Sequence, residues 1–487
     1  MIRACRCVTQ KLLRGRAFSA SASNREIQDI GELQNRIHPT YSETSRHDLL
    51  CLQWPSPPRN ILLVRKEEAP DVNAALVEFA NHINATYPSL SLIFEPHVAT
   101  ELRNAFDFPI FTTGHSQHAP KSALQDKVDL TSTLGGDGTI LHASSLFAKV
   151  DRVPPILSFS MGTLGFLGEW KFNEHKRAFR ELYMSGASAG YGSPLLQAEA
   201  HETESKMTKA PQPQNMSSAW GLGVPSKATS VALSDTERAI SISPDCAMPS
   251  SRPTGWSSIR GKSMGQSRGS RVLLRNRLKV GLFAPDGSRI PSSVSETSSA
   301  SSALAAGEKQ GDVYAMNEVL LHRGRTPHLS IIDIFVGGRF LTEAVADGMI
   351  ISTPTGSTAY SLSSGGSIVH PLVSSLLLTP ICPRSLSFRP LVLPANTPIT
   401  LRLSKKNRGR EIEVSIDGVR RDQGLSVGME VRVVGEDIKS RNNEWIGGVP
   451  SVVRGANGGG GGEEGNDHWV GGLNGLLKFN YPFGEEG

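Results

Sequence analysis

The sequence predicts an α/β domain joined to a mostly β domain, and three patterns carry that prediction. From Arg59, apolar strand-like runs alternate with helical periodicity. From Val313, apolar residues recur at every second position, the period of half-buried antiparallel strands. Between the two, from about 195 to 269, neither period is sustained.

The first 23 residues carry Arg3, Arg6, Lys11, Arg14 and Arg16 with Ser19, Ser21 and Ser23, and no acidic residue precedes Glu26. That is the composition of a mitochondrial transit peptide. Val8, Leu12 and Leu13 share one helical face, and Arg16-Ala-Phe18 followed by Ser19 resembles a matrix-processing site. A basic N-terminus without targeting is the alternative. The expected location is the mitochondrial matrix.

The α/β domain is expected over 59–190. Asn60 to Val64 reads as a buried strand, Val72 to Ile83 as a helix, and Leu90 to Phe94 as a second strand. Val128 to Leu134 is a third strand that runs into a Gly-rich turn, with a helix expected over Ile140 to Lys149. Ile156 to Ser160 is a fourth strand, and Phe172 to Met184 a closing helix. The recurring order predicts a mostly parallel sheet with helices on its faces.

The stretch 195–269 is Ser, Pro, Gly and mixed charge and reads as a disordered insertion. Gly255-Trp-Ser-Ser-Ile-Arg-Gly-Lys-Ser263 has five residues between its glycines where a phosphate loop has four, and no strand-to-helix context. Arg271 to Phe283 reads as the strand opening a β-rich domain over 271–435, with a Ser/Ala-rich loop from Pro291 to Ala306. Strands are expected at Ile331 to Val336, Gly348 to Ser352, Ile399 to Leu403, Glu411 to Ile416 and Glu430 to Val434. A Gly-rich linker, 455–466, leads to an apolar segment, 467–483, expected to fold back onto the first domain.

Composition narrows the function classes. The chain has 487 residues, of which 38% are hydrophobic and 20% charged, so part of it lies outside packed domains. Net charge is +5, with no long basic block interleaved with aromatics, so nucleic acid is not an expected partner. No apolar run reaches the roughly 18 to 20 residues that span a bilayer, and Pro380 interrupts the most apolar stretch, so no membrane is expected either. Cys5, Cys7, Cys51, Cys246 and Cys382 are odd in number and scattered, which fits neither a disulfide framework nor paired zinc ligands.

Three constellations carry chemistry. Leu134-Gly-Gly-Asp-Gly-Thr-Ile-Leu141 sets glycines around one carboxylate between a strand and a helix. Such glycines let backbone N–H groups approach a phosphate, and a helix N-terminus adds a favourable dipole. A carboxylate there repels the ligand unless it has a task, and two suit Asp137: accepting a proton from an attacking hydroxyl, or positioning a magnesium-bound phosphate. The same four letters also describe an ordinary Asp-Gly turn.

The second constellation runs Ala346-Asp-Gly-Met-Ile-Ile-Ser-Thr-Pro-Thr-Gly-Ser-Thr-Ala-Tyr-Ser-Leu-Ser-Ser-Gly-Gly366. An apolar strand delivers the chain into a turn of hydroxyls and glycines suited to sugar and phosphate oxygens, and Tyr360 offers an aromatic face. The third is Asn317-Glu318, a polar pair interrupting a strand. Asn can pair with an adenine edge and Glu can accept from a ribose hydroxyl. Alone, it also reads as a solvated strand edge.

In this order and spacing the three resemble the NAD kinase family, and the N-terminal segment points to its mitochondrial, fungal-type NADH kinase branch. The resemblance covers roughly 59–190, 271–435 and 467–483. The Gly-Gly-Asp-Gly-Thr motif is shared with lipid kinases, and a similar run occurs in phosphofructokinases, whereas the run from Asp347 to Tyr360 is far more specific. A lipid kinase and a non-catalytic dinucleotide-binding module are the competing readings.

The resemblance implies a Rossmann-like domain and a β-rich domain with the dinucleotide in the cleft between them. It makes Asp137 the proton acceptor, with Gly135, Gly136 and Thr139 at the phosphates and Gly138 in the dinucleotide site. It sets Phe166 against the adenine and Asn317 and Glu318 on the adenosine, with Asp347 at the nicotinamide side. Thr358, Ala359, Tyr360 and Ser363 would line the rest, and His328 matches a contact position in some relatives. Bacterial relatives often have Arg where this chain has Val345, and relatives often have a polar residue where it has Val419. The implied reaction moves the γ-phosphoryl group of ATP, with Mg²⁺ on the triphosphate, to the adenosine 2′-hydroxyl of NAD or NADH, in a homo-oligomer.

Overall fold

A computed structural model describes residues 26–454 apart from 45–46, 68, 114–122, 163–164, 169, 188–255, 257–268, 292–311 and 442–443, together with residues 469, 473 and 477. The transit-peptide stretch, most of the insertion, the Gly-rich linker and most of the terminal segment fall outside the described residues.

The first unit is built on an eleven-stranded sheet. Its order is Ile27–Asp29, Ile110–Thr112, Ser91–Phe94, Asn60–Arg65, Leu130–Gly135, Ile156–Ser160, Val449–Val453, Ser270–Arg275, His47–Gln53 and Thr40–Thr44, with Trp170–Lys171 beside Ile156–Ser160. The first six run parallel. Helices cover both faces, which is why Asn60–Arg65 is buried along its whole length. Ile61 and Leu63 pack under the helices Pro70–Thr86 and His175–Tyr183, while Leu62 and Val64 pack under Asp137–Ser145 on the other face. Successive residues of a strand point to opposite faces, so two apolar layers write one unbroken apolar run.

From Asn60–Arg65 the chain adds strands on one side, then crosses to Leu130–Gly135 on the other. The two strands stay paired to their carboxyl ends, and the chain leaves them towards opposite sides of the sheet; in open α/β sheets ligands bind in the crevice outside such a switch point.

The second unit stacks two antiparallel sheets over one core that draws Leu278, Ile332 and Leu401 from the first and Val319, Met349 and Leu378 from the second. Along Ile399–Leu403 and Glu411–Ile416 fully buried residues alternate with less buried ones, as the sequence pattern requires. Ser375–Ile381 is buried throughout in spite of Pro380. Its outer neighbour, Leu391–Pro394, pairs only as far as Leu378, so the proline has no ladder donor to supply on that side.

Several sequence expectations are corrected. Arg271 to Phe283 is two strands in two sheets: Ser270–Arg275 belongs to the first unit and Leu278–Phe283 to the second. Residues 436–454, unassigned from sequence, return to the first unit as Val449–Val453, parallel to Ile156–Ser160 and antiparallel to Ser270–Arg275. Residues 26–54 add three further strands to that sheet. Of the terminal segment, Trp469 meets the ring of His370 in the second unit edge-on, with centroids 4.7 Å apart. Within the insertion, Trp256 packs on the first unit's core, its indole N–H donating to the Tyr183 carbonyl (2.8 Å).

Candidate active site

The helix after the Gly-rich turn begins at Asp137 itself, three residues earlier than the sequence suggested, with Gly136 as its extended N-cap. The Gly136 carbonyl accepts from the N–H of Thr139 (3.0 Å) and of Ile140 (3.4 Å), so the turn is already helical at its carboxylate. The dipole favours a negative charge in that first turn. A Cβ at Gly135 would lie 2.2 Å from the Thr139 hydroxyl, so glycine lets Thr139 fold back under the turn. At Gly136 and Gly138 an added Cβ would meet nothing within 4 Å. Their backbone faces an open cleft that Lys66, Thr139 and His142 also line.

The Asp137 carboxylate is held by the loop that follows Ile156–Ser160. Its Oδ2 accepts from the Phe166 N–H (2.9 Å) and its Oδ1 from the Leu167 N–H (3.1 Å). A Cβ at Gly165 would stand 2.0 Å from Oδ1, so only glycine allows this approach. Phe166, expected against the adenine, thus also orients the carboxylate through its backbone. A carboxylate has about four acceptor sites, so two amides leave room for a substrate hydroxyl.

Asn317 and Glu318 do not form a solvated edge: they are 6% and 9% exposed, at the bend between Val313–Ala315 and Glu318–His322. Asp417 makes the bend. Its carboxylate accepts from the N–H groups of Met316 (2.7 Å), Asn317 (2.7 Å) and Glu318 (3.1 Å), from a left-handed residue (φ 47°) followed by Gly418 (φ 79°). Asn317 Oδ1 and Glu318 Oε2 are buried without a partner. Such atoms cost about 1 to 3 kcal/mol each, a cost a hydrogen-bonding ligand would relieve. Burial, with Asp417 adding to it, pushes the Glu318 carboxyl up to about 7. Burial also raises Asp417, against the three amides that lower it.

The hydroxyl-rich turn packs directly on this pair. The Thr353 N–H donates to the Asn317 carbonyl (2.9 Å) and its hydroxyl to the Met316 carbonyl (2.7 Å). A Cβ at Gly356 would lie 2.2 Å from the Asn317 carbonyl oxygen. Not every hydroxyl is free: Ser357 is buried and donates to the Pro354 carbonyl (2.6 Å), and Ser361 is buried against Thr379 (2.8 Å). Tyr360, 39% exposed, opens a one-turn helix ending at Ser363, which is exposed; Thr358 and Ala359 are half-buried.

Asp347 and His328 do not join this cluster. Asp347 precedes Gly348–Ser352, five residues and so roughly 17 Å of strand from the Ser352 end. There it pairs with Arg323 (Nε to Oδ1, 2.6 Å), and His328 is exposed on the loop beyond. The Val345 carbonyl accepts from the Arg384 N–H (2.8 Å).

The two units are joined beside the site by Arg277, which is 1% exposed. It donates to Glu436 (2.6 and 2.8 Å) in its own unit and to the Val150 carbonyl (2.9 Å) in the other, 4.2 Å above the Tyr314 ring. Met316 shares a core cluster with Ile140 and Leu167, which ties the bend at Asn317 to the helix that starts at Asp137. Asp417, Gly165, Gly356 and Arg277 had no assigned role in the sequence reading. An Asp-Gly pair closing a strand was the one available signal, for Asp417.

The model of the ATP-NAD kinase N-terminal domain matches residues 61–187, and that of the ATP-NAD kinase C-terminal domain matches residues 316–437. The "NADH kinase pos5, mitochondrial" of Schizosaccharomyces pombe is 34% identical over 475 residues, spanning 96% of this chain and 89% of the relative. The "NADH kinase POS5, mitochondrial" of Saccharomyces cerevisiae is 30% identical over 485 residues, spanning 94% and 89%. A crystal structure of yeast NADH kinase complexed with NADH superposes with a TM-score of 0.62 at 30% identity, covering 95% of this chain and all of that one.

Proposed function

The chain belongs to the ATP-NAD kinase family, and from that premise we propose that it transfers the γ-phosphoryl group of ATP to the adenosine 2′-hydroxyl of NADH or NAD in mitochondria. The observation that carries the reading is the placement of Asp137. Its carboxylate is fixed by two amides at the head of a helix, between glycines whose backbone lies open.

In this reading Asp137 accepts the proton of the 2′-hydroxyl as its oxygen attacks the γ-phosphorus in line. The bond from that phosphorus to the bridging oxygen breaks, and ADP leaves. Phosphoryl transfer depends mainly on positioning and charge neutralisation, so a fixed base and an open amide cradle are the parts the protein must supply. Asn317 Oδ1 and Glu318 Oε2, buried and unpartnered, are acceptors for the adenine amino group and a ribose hydroxyl. Glu318, raised to about 7, can also donate when protonated. Tyr360 is exposed enough to stack on a ring. Mg²⁺ would arrive on the triphosphate and offset its charge.

The test is a purified-protein assay with ATP-Mg²⁺ and, separately, NADH and NAD, following the 2′-phosphorylated product. Turnover of either acceptor supports the reading. ATP hydrolysis without a phosphorylated dinucleotide would overturn it.

A further inference from the structure

The cleft at the switch point is lined by two basic side chains, Lys66 and His142, that the transfer step does not use. We propose that Lys66 and His142 form the cationic wall that grips the donor's triphosphate opposite the open backbone of Gly136 and Gly138. The proposal rests on the kinase reading and assigns its phosphate-donor side.

Lys66 is the first residue past the strand Asn60–Arg65, and its backbone N–H donates to the Leu134 carbonyl (2.9 Å). Its root is therefore fixed beside the turn, and a Cβ at Gly135 would lie 3.1 Å from Lys66 Cβ. The side chain is exposed, and among the described residues no ion pair holds its ammonium. The neighbouring arginine differs: Arg65 is buried and bound to Glu101.

His142 stands three residues after Thr139, on the same face of the helix and about 4.5 Å further along it. Its Nε2 lies 2.8 Å from Glu95 Oε1, and that carboxylate is largely buried. Glu95 thus orients the ring and favours its cationic form, leaving Nδ1–H as a donor. The hydrogen bond to Glu95 raises the imidazole pKa, opposed by burial and helped by the charges of Glu95 and Glu67. Helix amides, an unpaired ammonium and an imidazolium in one open cleft match a chain of phosphates better than a single one. A triphosphate keeps net negative charge after Mg²⁺ binds, which is what two further cations would meet.

The experiment measures KM for ATP-Mg²⁺ and for NADH separately. A charge-assisted contact is worth roughly tenfold in affinity, so Lys66→Met should raise KM for ATP about tenfold and leave KM for NADH within about twofold. Lys66→Arg should recover most of the loss. In the wild type KM for ATP should rise as pH climbs above the ordinary imidazole value of 6.5 and His142 loses its proton, and in His142→Gln that slope should vanish. The charged groups facing His142 are the Glu95 and Glu67 carboxylates and, in the same cleft, Lys66. Unchanged KM for ATP in Lys66→Met, or an equal rise in KM for NADH, would overturn the proposal. If the wild type phosphorylates neither NADH nor NAD, the kinase reading falls instead. Calorimetric binding of ATP-Mg²⁺ to wild type and Lys66→Met then still decides the wall, with equal affinities counting against it.

Discussion

A methyl group added at position 165 would stand 2.0 Å from the Asp137 carboxylate, so the loop that supplies the Phe166 and Leu167 amides would have to retreat. Misplacing a reacting group by about 1 Å costs on the order of 100-fold in rate. Gly165→Ala should therefore lower kcat by about 10- to 100-fold with KM for NADH little changed, and steady-state kinetics checks it; an unaltered kcat would mean that the loop does not orient the base. Asp137, Asn317 and Glu318 stood out in the sequence because each sits in a run of neighbouring letters that resembles a known family's. Asp417 was not, since it acts on amides about a hundred positions away. Gly165 and Gly356 were invisible for the same reason: each is a glycine because of a distant atom that must pass close by.

The bend at Asn317 carries a further consequence. Glu318 titrates at about 7 in the folded chain, against an ordinary value of about 4.5. The folded state thus keeps a proton that the unfolded chain loses, and stability falls as pH rises from about 4.5 to 7. The shift corresponds to roughly 3 kcal/mol at full effect. Glu318→Gln should raise the melting temperature at pH 8 and leave it nearly unchanged at pH 4.5, while kinase activity drops because the ribose acceptor is gone. Equal melting temperatures at pH 8 would show that the carboxyl is not strained by its burial. The break at this bend was legible as a polar pair interrupting a strand, while Val313–Ala315 and Glu318–His322 were not assigned as two separate strands. The split of Arg271 to Phe283 into two sheets was not, because Ser270–Arg275 and Leu278–Phe283 are both apolar enough to read as one strand. Only pairing partners elsewhere in the chain distinguish them.

Across the chain, the two-unit arrangement followed from the two hydrophobic periods, but its stitching did not. Val449–Val453 returns to the first sheet, and Arg277 anchors the units beside the site. Such contacts depend on three-dimensional neighbours that local periodicity does not encode. The insertion illustrates the difference. Its lack of periodicity suggests that 200–265 is dispensable, yet Trp256 packs on the first core and donates to Tyr183. Deleting 200–250 should leave melting temperature and kcat/KM close to full length, since lengthening a loop costs only about 0.6 kcal/mol per doubling. Extending the deletion to 265 should lower the melting temperature by removing the indole. An inactive 200–250 deletion would instead place that stretch against the catalytic cleft.

That Asp137 takes the proton of the dinucleotide's 2′-hydroxyl is tested by a single-turnover reaction of ATP-Mg²⁺ with NADH in wild type and Asp137→Asn, with NADH binding measured in parallel. Loss of a general base typically costs on the order of 10² to 10⁴ in rate. The phosphoryl-transfer rate in Asp137→Asn should be lower by about that factor, with NADH affinity within a few-fold of wild type. A variant that transfers phosphate at the wild-type rate would contradict it and reassign the base.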